Sequence, residues 1–409
     1  MKREEMEVYA RLLLHVGLDL QKGQILLINA ELEAAPLVRL LAEEAYRMGA
    51  GDVQCNWSDE GCDRARLLYQ DEAYLGKMTP WEAERYNAPS REGCAYLRLY
   101  SEDPEGMAGV PAARAAMRRN AVSAATLEAR ECRMTGVSPW LAASYPGRAW
   151  AAHVFPDLAP DAAQEALWQA ILRATRADQP DPAAAWTAHQ ENLARRTAWL
   201  NEQQFTAFHY ISGLGTDFTV GMPEGQIWEG GCMHTREGRA YIPNMPTEEV
   251  FCAPHRGRAE GRLVASLPLS HGGNRVEGFS LTFRDGEVVS FDAREGKETL
   301  ASILDTDEGA RRLGEIALIP ADSPVAGMNL LFSNTLFDEN ASCHFALGRS
   351  FPECVRGGEE MDDAALLEAG VNNSLTHVDF MVGTKDLRIE GIRADGSRVP
   401  VFANGVWAF

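Results

Sequence analysis

Residues 278–293 read GFSLTFRDGEVVSFDA. Two runs that alternate apolar and polar side chains flank Asp285-Gly286. An Asp-Gly pair between such runs is a strong hairpin signal, because both central turn positions need positive φ. The closing stretch 387–409, LRIEGIRADGSRVPVFANGVWAF, repeats the pattern around Asp395-Gly396. FTAFHYIS at 205–212 alternates as a strand does. Between the two hairpins, GARRLGEIALI at 309–319 reads as a helix. The second half of the chain is therefore expected to be α+β and rich in antiparallel strands.

The first half has a different texture. QKGQILLINA at 21–30 holds a short buried strand over 24–29, and a helix is expected over 34–48, stopped at Gly49. GDVQCNWS at 51–58 reads as a second strand, followed by a helix over about 60–70. CAYLRLYS at 94–101 reads as a third strand, with an Ala/Arg-rich helical stretch after it to about 131. Strand–helix alternation implies an α/β domain with parallel pairing. Asp181-Pro182 has the form of an N-cap and first turn, opening a helix that joins the halves. At 409 residues the chain is too long for one compact core. We expect an α/β N-terminal domain over 1–195 and an α+β C-terminal domain over 196–409 that binds metal.

Composition limits function. The chain carries 39 basic and 59 acidic side chains, a formal charge of −20. Binding to nucleic acid or to an anionic membrane needs clustered Lys and Arg, so neither is expected. The N-terminus shows no secretory leader and no 18-residue apolar run occurs, so no membrane span is expected. Eight scattered cysteines without a CxxC pair fit reduced thiols in a cytoplasmic protein. GxxxxGK[ST], HExxH, HxxEH and GxSxG are all absent, and GLGTDF at 213–218 has only two of the three glycines of a dinucleotide fingerprint.

Chemistry concentrates in the last 170 residues or so. PNMPTEEVF holds Glu248 and Glu249, GARRLGEIAL holds Glu315, NTLFDENASCHFALG holds Asp338, Glu339 and His344, and THVDFMVG holds His377 and Asp379. On a strand over 376–382, His377, Asp379 and Met381 share one face, and Val378, Phe380 and Val382 the core face. Glu248 and Glu249 are adjacent, so in extended chain they point to opposite sides. Glu315 stands alone among Leu313, Ile316, Ala317 and Leu318, and a carboxylate held there needs a cation or strong donors. Each residue also has a plain reading: a wet sheet edge for His377 and Asp379, a solvated helix face for Glu315, a satisfied core histidine for His344. Taken together, carboxylates and imidazoles without thiolate suit hard or borderline divalent metals. They suffice for a pair of ions with a carboxylate bridge, which can activate water for hydrolysis of an amide or ester.

At these residues the chain resembles the M29 family of metallo-aminopeptidases, the aminopeptidase T and aminopeptidase S group. The phrases that carry the resemblance are MPTEEVF, LGEIAL, NTLFDENASCH, HVDFMVGT and VPVFANGVWAF. QKGQILLINAELEA, GTDFTV, IWEGG and SLPLS add to them. The resemblance implies a cytoplasmic exopeptidase with two divalent ions, zinc or cobalt with manganese also suitable. It further implies a homodimer enclosing the active sites and a small peptide as substrate. It makes Glu249, Glu315, Glu339, His344, His377 and Asp379 the metal ligands, with Glu315 as bridge. Composition alone does not choose Glu339 over Asp338, or Glu249 over Glu248.

The expected mechanism has one ion polarising the peptide carbonyl, activated water attacking, and Glu249 or Glu248 carrying the proton to the leaving amine. One departure is expected: Phe351 stands where the resemblance implies a tyrosine whose hydroxyl could hydrogen-bond the tetrahedral intermediate. Two other readings compete. One is a mononuclear ring-cleaving dioxygenase on the same scaffold, using His377, Asp379 and a second histidine; the three glutamates speak against it. The other is a non-catalytic, metal-stabilised binding protein, favoured only by Phe351.

Overall fold

The computed structural model describes residues 1–271 and 274–409. The chain divides into two compact units, one of residues 1–189 with 232–247, the other of 190–231 with 248–409. The helix Pro182–Gln203 runs across the first change of unit. Asp181 caps that helix, its carboxylate accepting the N–H of Ala184.

The first unit holds a four-stranded parallel sheet in the order Asp52–Ser58, Ile25–Glu31, Ala95–Tyr100, Trp140–Ser144. Helices connect successive strands, Ala35–Arg47 between the first two. Ile25–Glu31 sits inside the sheet and is buried nearly throughout, whereas Asp52–Ser58 at the edge alternates exposed and covered positions. The three expected strands form. The fourth lies in SPWLAASY, whose Pro and small residues give too weak a β signal to read. The excursion 232–247 belongs to this unit: Asn244 bridges Ala142, and Ala142 donates to the carbonyl of Pro243.

The second unit is built on antiparallel strands. An eight-stranded sheet runs Glu287–Asp292, Ser280–Arg284, Ala259–Val264, Asp217–Gly221, Ala207–Ile211, Arg388–Ile392, Arg398–Ala403, Val406–Trp407. The hairpin over 280–292 forms as expected, with Asp285 and Gly286 at φ 51° and 78°. A second turn of this kind, Asn404-Gly405 at φ 52° and 75°, closes the last two strands.

A smaller sheet of four antiparallel strands runs His377–Met381, His344–Gly348, Leu313–Leu318, Val250–Cys252. One face is core: Phe345, Leu347, Val378, Phe380 and Ile316 are all buried. Phe345 packs at 5.1 Å from Tyr210 and 5.5 Å from Phe218, both on the large sheet. The other face carries the chemistry. Here one expectation fails: Glu315 lies on a strand, not a helix, and all six residues of that strand are buried. A short apolar run in a sheet interior has no alternation to separate it from a buried helix segment.

Candidate metal centre

The register of the small sheet assembles the site. Ala346, on the second strand, pairs with Glu315 on one side and Asp379 on the other. Residues directly opposed in a sheet project from the same face, so Glu315 and Asp379 flank the Ala346 methyl. His377 lies two residues from Asp379, and His344 two residues from Ala346, which puts both imidazoles on that face. Glu249 stands immediately before Val250–Cys252, the outer strand. A β-bulge at Gly314 interrupts the ladder beside Glu315, and bulges re-aim side chains near sites.

Two overlapping triads result. One ligand atom from each of Glu249, Glu315 and His344 falls within 4.8 Å of the others, and the same holds for Glu315, His377 and Asp379. Glu315 belongs to both. His377 Nε2 is 3.2 Å from Glu315 Oε2 and 3.2 Å from Asp379 Oδ1, and His344 Nε2 is 3.6 Å from Glu249 Oε2.

The imidazoles are held by their far nitrogens. His377 Nδ1 lies 2.7 Å from the carbonyl oxygen of Arg349, and His344 Nδ1 3.2 Å from that of Ser342. A carbonyl only accepts, so Nδ1 donates in each ring. The neutral ring then turns a bare Nε2 toward the carboxylates, the arrangement that a histidine ligand requires.

Charge is poorly balanced around these groups. Burial, with the Glu315 charge beside it, pushes Glu249 up to about 7. Burial, then Glu249, Asp379 and Glu315, holds Glu339 well above the carboxylate range. Burial pulls His377 down, but the hydrogen bonds and charges of Asp379 and Glu315 outweigh it and lift the imidazole to about 11. His344 is raised against its own burial by Glu315, Asp379 and Glu249. Burial works to raise Asp379, but the hydrogen bond and charge of His377 bring it below its usual value. Glu249, Glu339 and the two imidazoles hold protons more tightly than usual, and buried groups of this kind are suited to exchange them for divalent cations. The donor set of oxygen and imidazole nitrogen fits such ions.

Not every candidate enters a triad. Glu339 is electrostatically coupled to Glu249, Asp379 and Glu315 but lies outside both groups. Glu248 is buried and belongs to neither triad. Asp338 serves its own loop: its carboxylate accepts the N–H of Phe332 at 2.8 Å and of Asn334 at 3.0 Å. Phe351 places its ring 5.2 Å from that of His377 and 5.5 Å from that of Phe251. A cavity of about 150 Å³ is lined by His377, Asp379 and Met381 together with Leu269, Ser333 and Thr335. Sequence reading missed Ala346 and the two carbonyls that orient the histidines, since an alanine and a backbone oxygen leave no signature.

The chain matches the family model described as Thermophilic metalloprotease (M29) over residues 2–407. It is 43% identical over 406 residues to Aminopeptidase 2 of Geobacillus stearothermophilus, covering 99% of this chain and 98% of that one. It is similar to the solved structure of wild-type AmpT from Thermus thermophilus, with a TM-score of 0.94, 42% identity and full coverage of both chains. The 2,5-dihydroxypyridine dioxygenase of Pseudomonas putida KT2440 covers 100% of this chain and 99% of its own at a TM-score of 0.56, but at 13% identity it shares the fold alone. By both the family match and the identity to its relatives, the chain belongs to the M29 family of metalloproteases.

Proposed function

We propose that the two triads hold a pair of divalent ions and that the chain uses them to remove N-terminal residues from small peptides. The chain is a metal-dependent aminopeptidase, a hydrolase of peptide bonds; its relatives carry that name along nearly the whole chain. The observation that carries the dinuclear reading is Glu315, the one carboxylate among the described residues that belongs to both histidine-bearing triads. Glu249, Glu315 and His344 would hold one ion and Glu315, His377 and Asp379 the other. Zinc or cobalt suits this donor set, and manganese is a further candidate. Bound ions would supply Lewis acidity toward the peptide carbonyl and lower the pKa of water.

The residues of the chain do the rest. The acidic face attracts the ammonium end of a peptide, and the cavity beside His377 and Asp379 receives it. The family resemblance implies Glu339 as a ligand, and the expected mechanism gives the proton to Glu249 or Glu248. The geometry favours another division. Glu249 is committed to a triad, whereas Glu339 is in neither triad and interacts with the charges of Glu249, Asp379 and Glu315. We therefore assign to Glu339 the proton taken from the attacking water and returned to the leaving amine.

We further propose a homodimer in the cytoplasm. The family resemblance supports the dimer, and eight scattered cysteines without a CxxC pair support a reducing compartment. Among the described residues no helix is long and apolar enough to cross a membrane. Glu315→Gln tests the central step. Expected is loss of both tightly bound ions and a fall in kcat/KM of at least about 10³ for leucine p-nitroanilide, with the fold intact by circular dichroism. Two ions and undiminished turnover in that variant would overturn the shared-ligand reading.

A further inference from the structure

The small sheet fixes four of the six candidate groups by strand pairing. Glu315, His344, His377 and Asp379 all sit in its ladders. Glu249 and Glu339 do not. The ladder of the outer strand ends at the pair Leu318–Val250, one residue short of Glu249. Glu339 leads a short 3₁₀ turn, Glu339–Ala341, that follows the helix Thr335–Asp338. These two carboxyl groups interact across a common space, and no strand pairing sets their separation.

Asn340 is placed to do this. It follows Glu339 directly and is 0% exposed. Its Nδ2 donates to the carbonyl of Leu336 at 2.9 Å, anchoring the amide to the helix that precedes the turn. Its Oδ1 accepts the N–H of Glu248 at 2.7 Å, and Glu248 is the residue before Glu249. One side chain therefore spans the two segments, each bond one residue or one turn from a carboxylate of the centre. The residue type is specific to the task. The position needs a donor and an acceptor on one short side chain, and a neutral one, because an aspartate would add a charge beside Glu249 and Glu339.

We propose that Asn340 is a positioning residue of the metal centre: its amide ties the Glu249 segment to the Glu339 turn and so sets the spacing of the two carboxylates that no strand pairing fixes. The inference rests on the dinuclear reading above. It assigns Asn340 an effect on one ion and not the other, since Glu315, His377 and Asp379 are placed by the sheet and only the other triad contains Glu249.

Titration calorimetry of the chelated protein with cobalt or zinc separates the possibilities, run on wild type and Asn340→Leu. Wild type should take up two ions. In the variant one ion should bind as in wild type, and the second should weaken by about 10- to 100-fold, the usual consequence of losing a group that orients a ligand. The retained site reports that the fold is intact. Two unchanged ions would show that Asn340 only fills space, and equal loss of both would show a general structural role; either result overturns the inference. If the leucine variant fails to fold, Asn340→Ser, whose hydroxyl is too short to reach Glu248, should give the same one-ion defect. A wild type that takes up fewer than two ions would overturn the dinuclear reading itself.

Discussion

Ala346 illustrates how little the centre leaves to chance at the scale of one residue. Its methyl lies between Glu315 and Asp379 across two strand pairs. Branching at that position intrudes where the ligands converge. Ala346→Val should therefore weaken ion binding by about tenfold or more while the buried opposite face of the strand is untouched, measured by metal titration beside thermal unfolding. The division of labour at Glu339 is open to a similar check. Glu339→Gln should lower kcat by about 10²- to 10⁴-fold and keep both ions; loss of an ion would make Glu339 a ligand instead. Phe351 is in ring contact with His377, so Phe351→Tyr brings a hydroxyl close to that ligand. A gain of about tenfold in kcat with unchanged metal content is expected if that position limits the rate. At this scale the types of residue were legible in the sequence and their partners were not. Asp338 and Glu339 are adjacent acids in one phrase, and only the hydrogen bonds to Phe332 and Asn334 show that Asp338 belongs to its loop.

Single elements carry the geometry through glycine at two positions. A Cβ on Gly314 would collide with the carbonyl oxygens of Gly348 and Arg349. The Arg349 carbonyl is the acceptor that holds His377 Nδ1. Gly314→Ala should thus displace His377 as well as strain the bulge, lowering metal affinity by about 10- to 100-fold; unchanged titration curves would contradict this. Gly348 is the second case, at φ 103° and opposite His377 in the ladder. Elements with a strong local signal were legible: the Asp285-Gly286 hairpin and the strand of His377 and Asp379 both form. The strand of Glu315 was not, because a fully buried strand shows no period of two and its six residues read equally well as helix. Trp140–Ser144 was missed for a related reason, being rich in small residues and flanked by prolines.

At the scale of the molecule the protonation of the centre is linked to stability. Burial raises Glu249 and Asp338 to about 7. A raised carboxyl contributes stability that is complete below its unfolded value near 4 and is lost as pH rises through about 7. His377, lifted to about 11, adds a loss that begins above about pH 6.5. Asp379 is lowered and contributes nothing further above pH 5. The chelated protein should therefore melt at a lower temperature at pH 8 than at pH 5. Divalent ions replace the protons, so the loaded protein should gain over the same interval as its ligands deprotonate. Unfolding curves at both pH values, with and without chelator, check this, and parallel pH trends would contradict it. The change from α/β to antiparallel texture was legible along the chain, but the return of 232–247 to the first unit was not, since no shift of composition marks it.

Stepwise return of zinc or cobalt to the chelated protein, with ions per chain counted by elemental analysis and release of leucine p-nitroanilide followed at each step, bears most directly on the shared Glu315 centre. Expected is no turnover without metal, saturation at two ions per chain, and activity that reaches its plateau as the second is bound. Full activity with one ion, or turnover that survives chelation, would contradict a dinuclear centre.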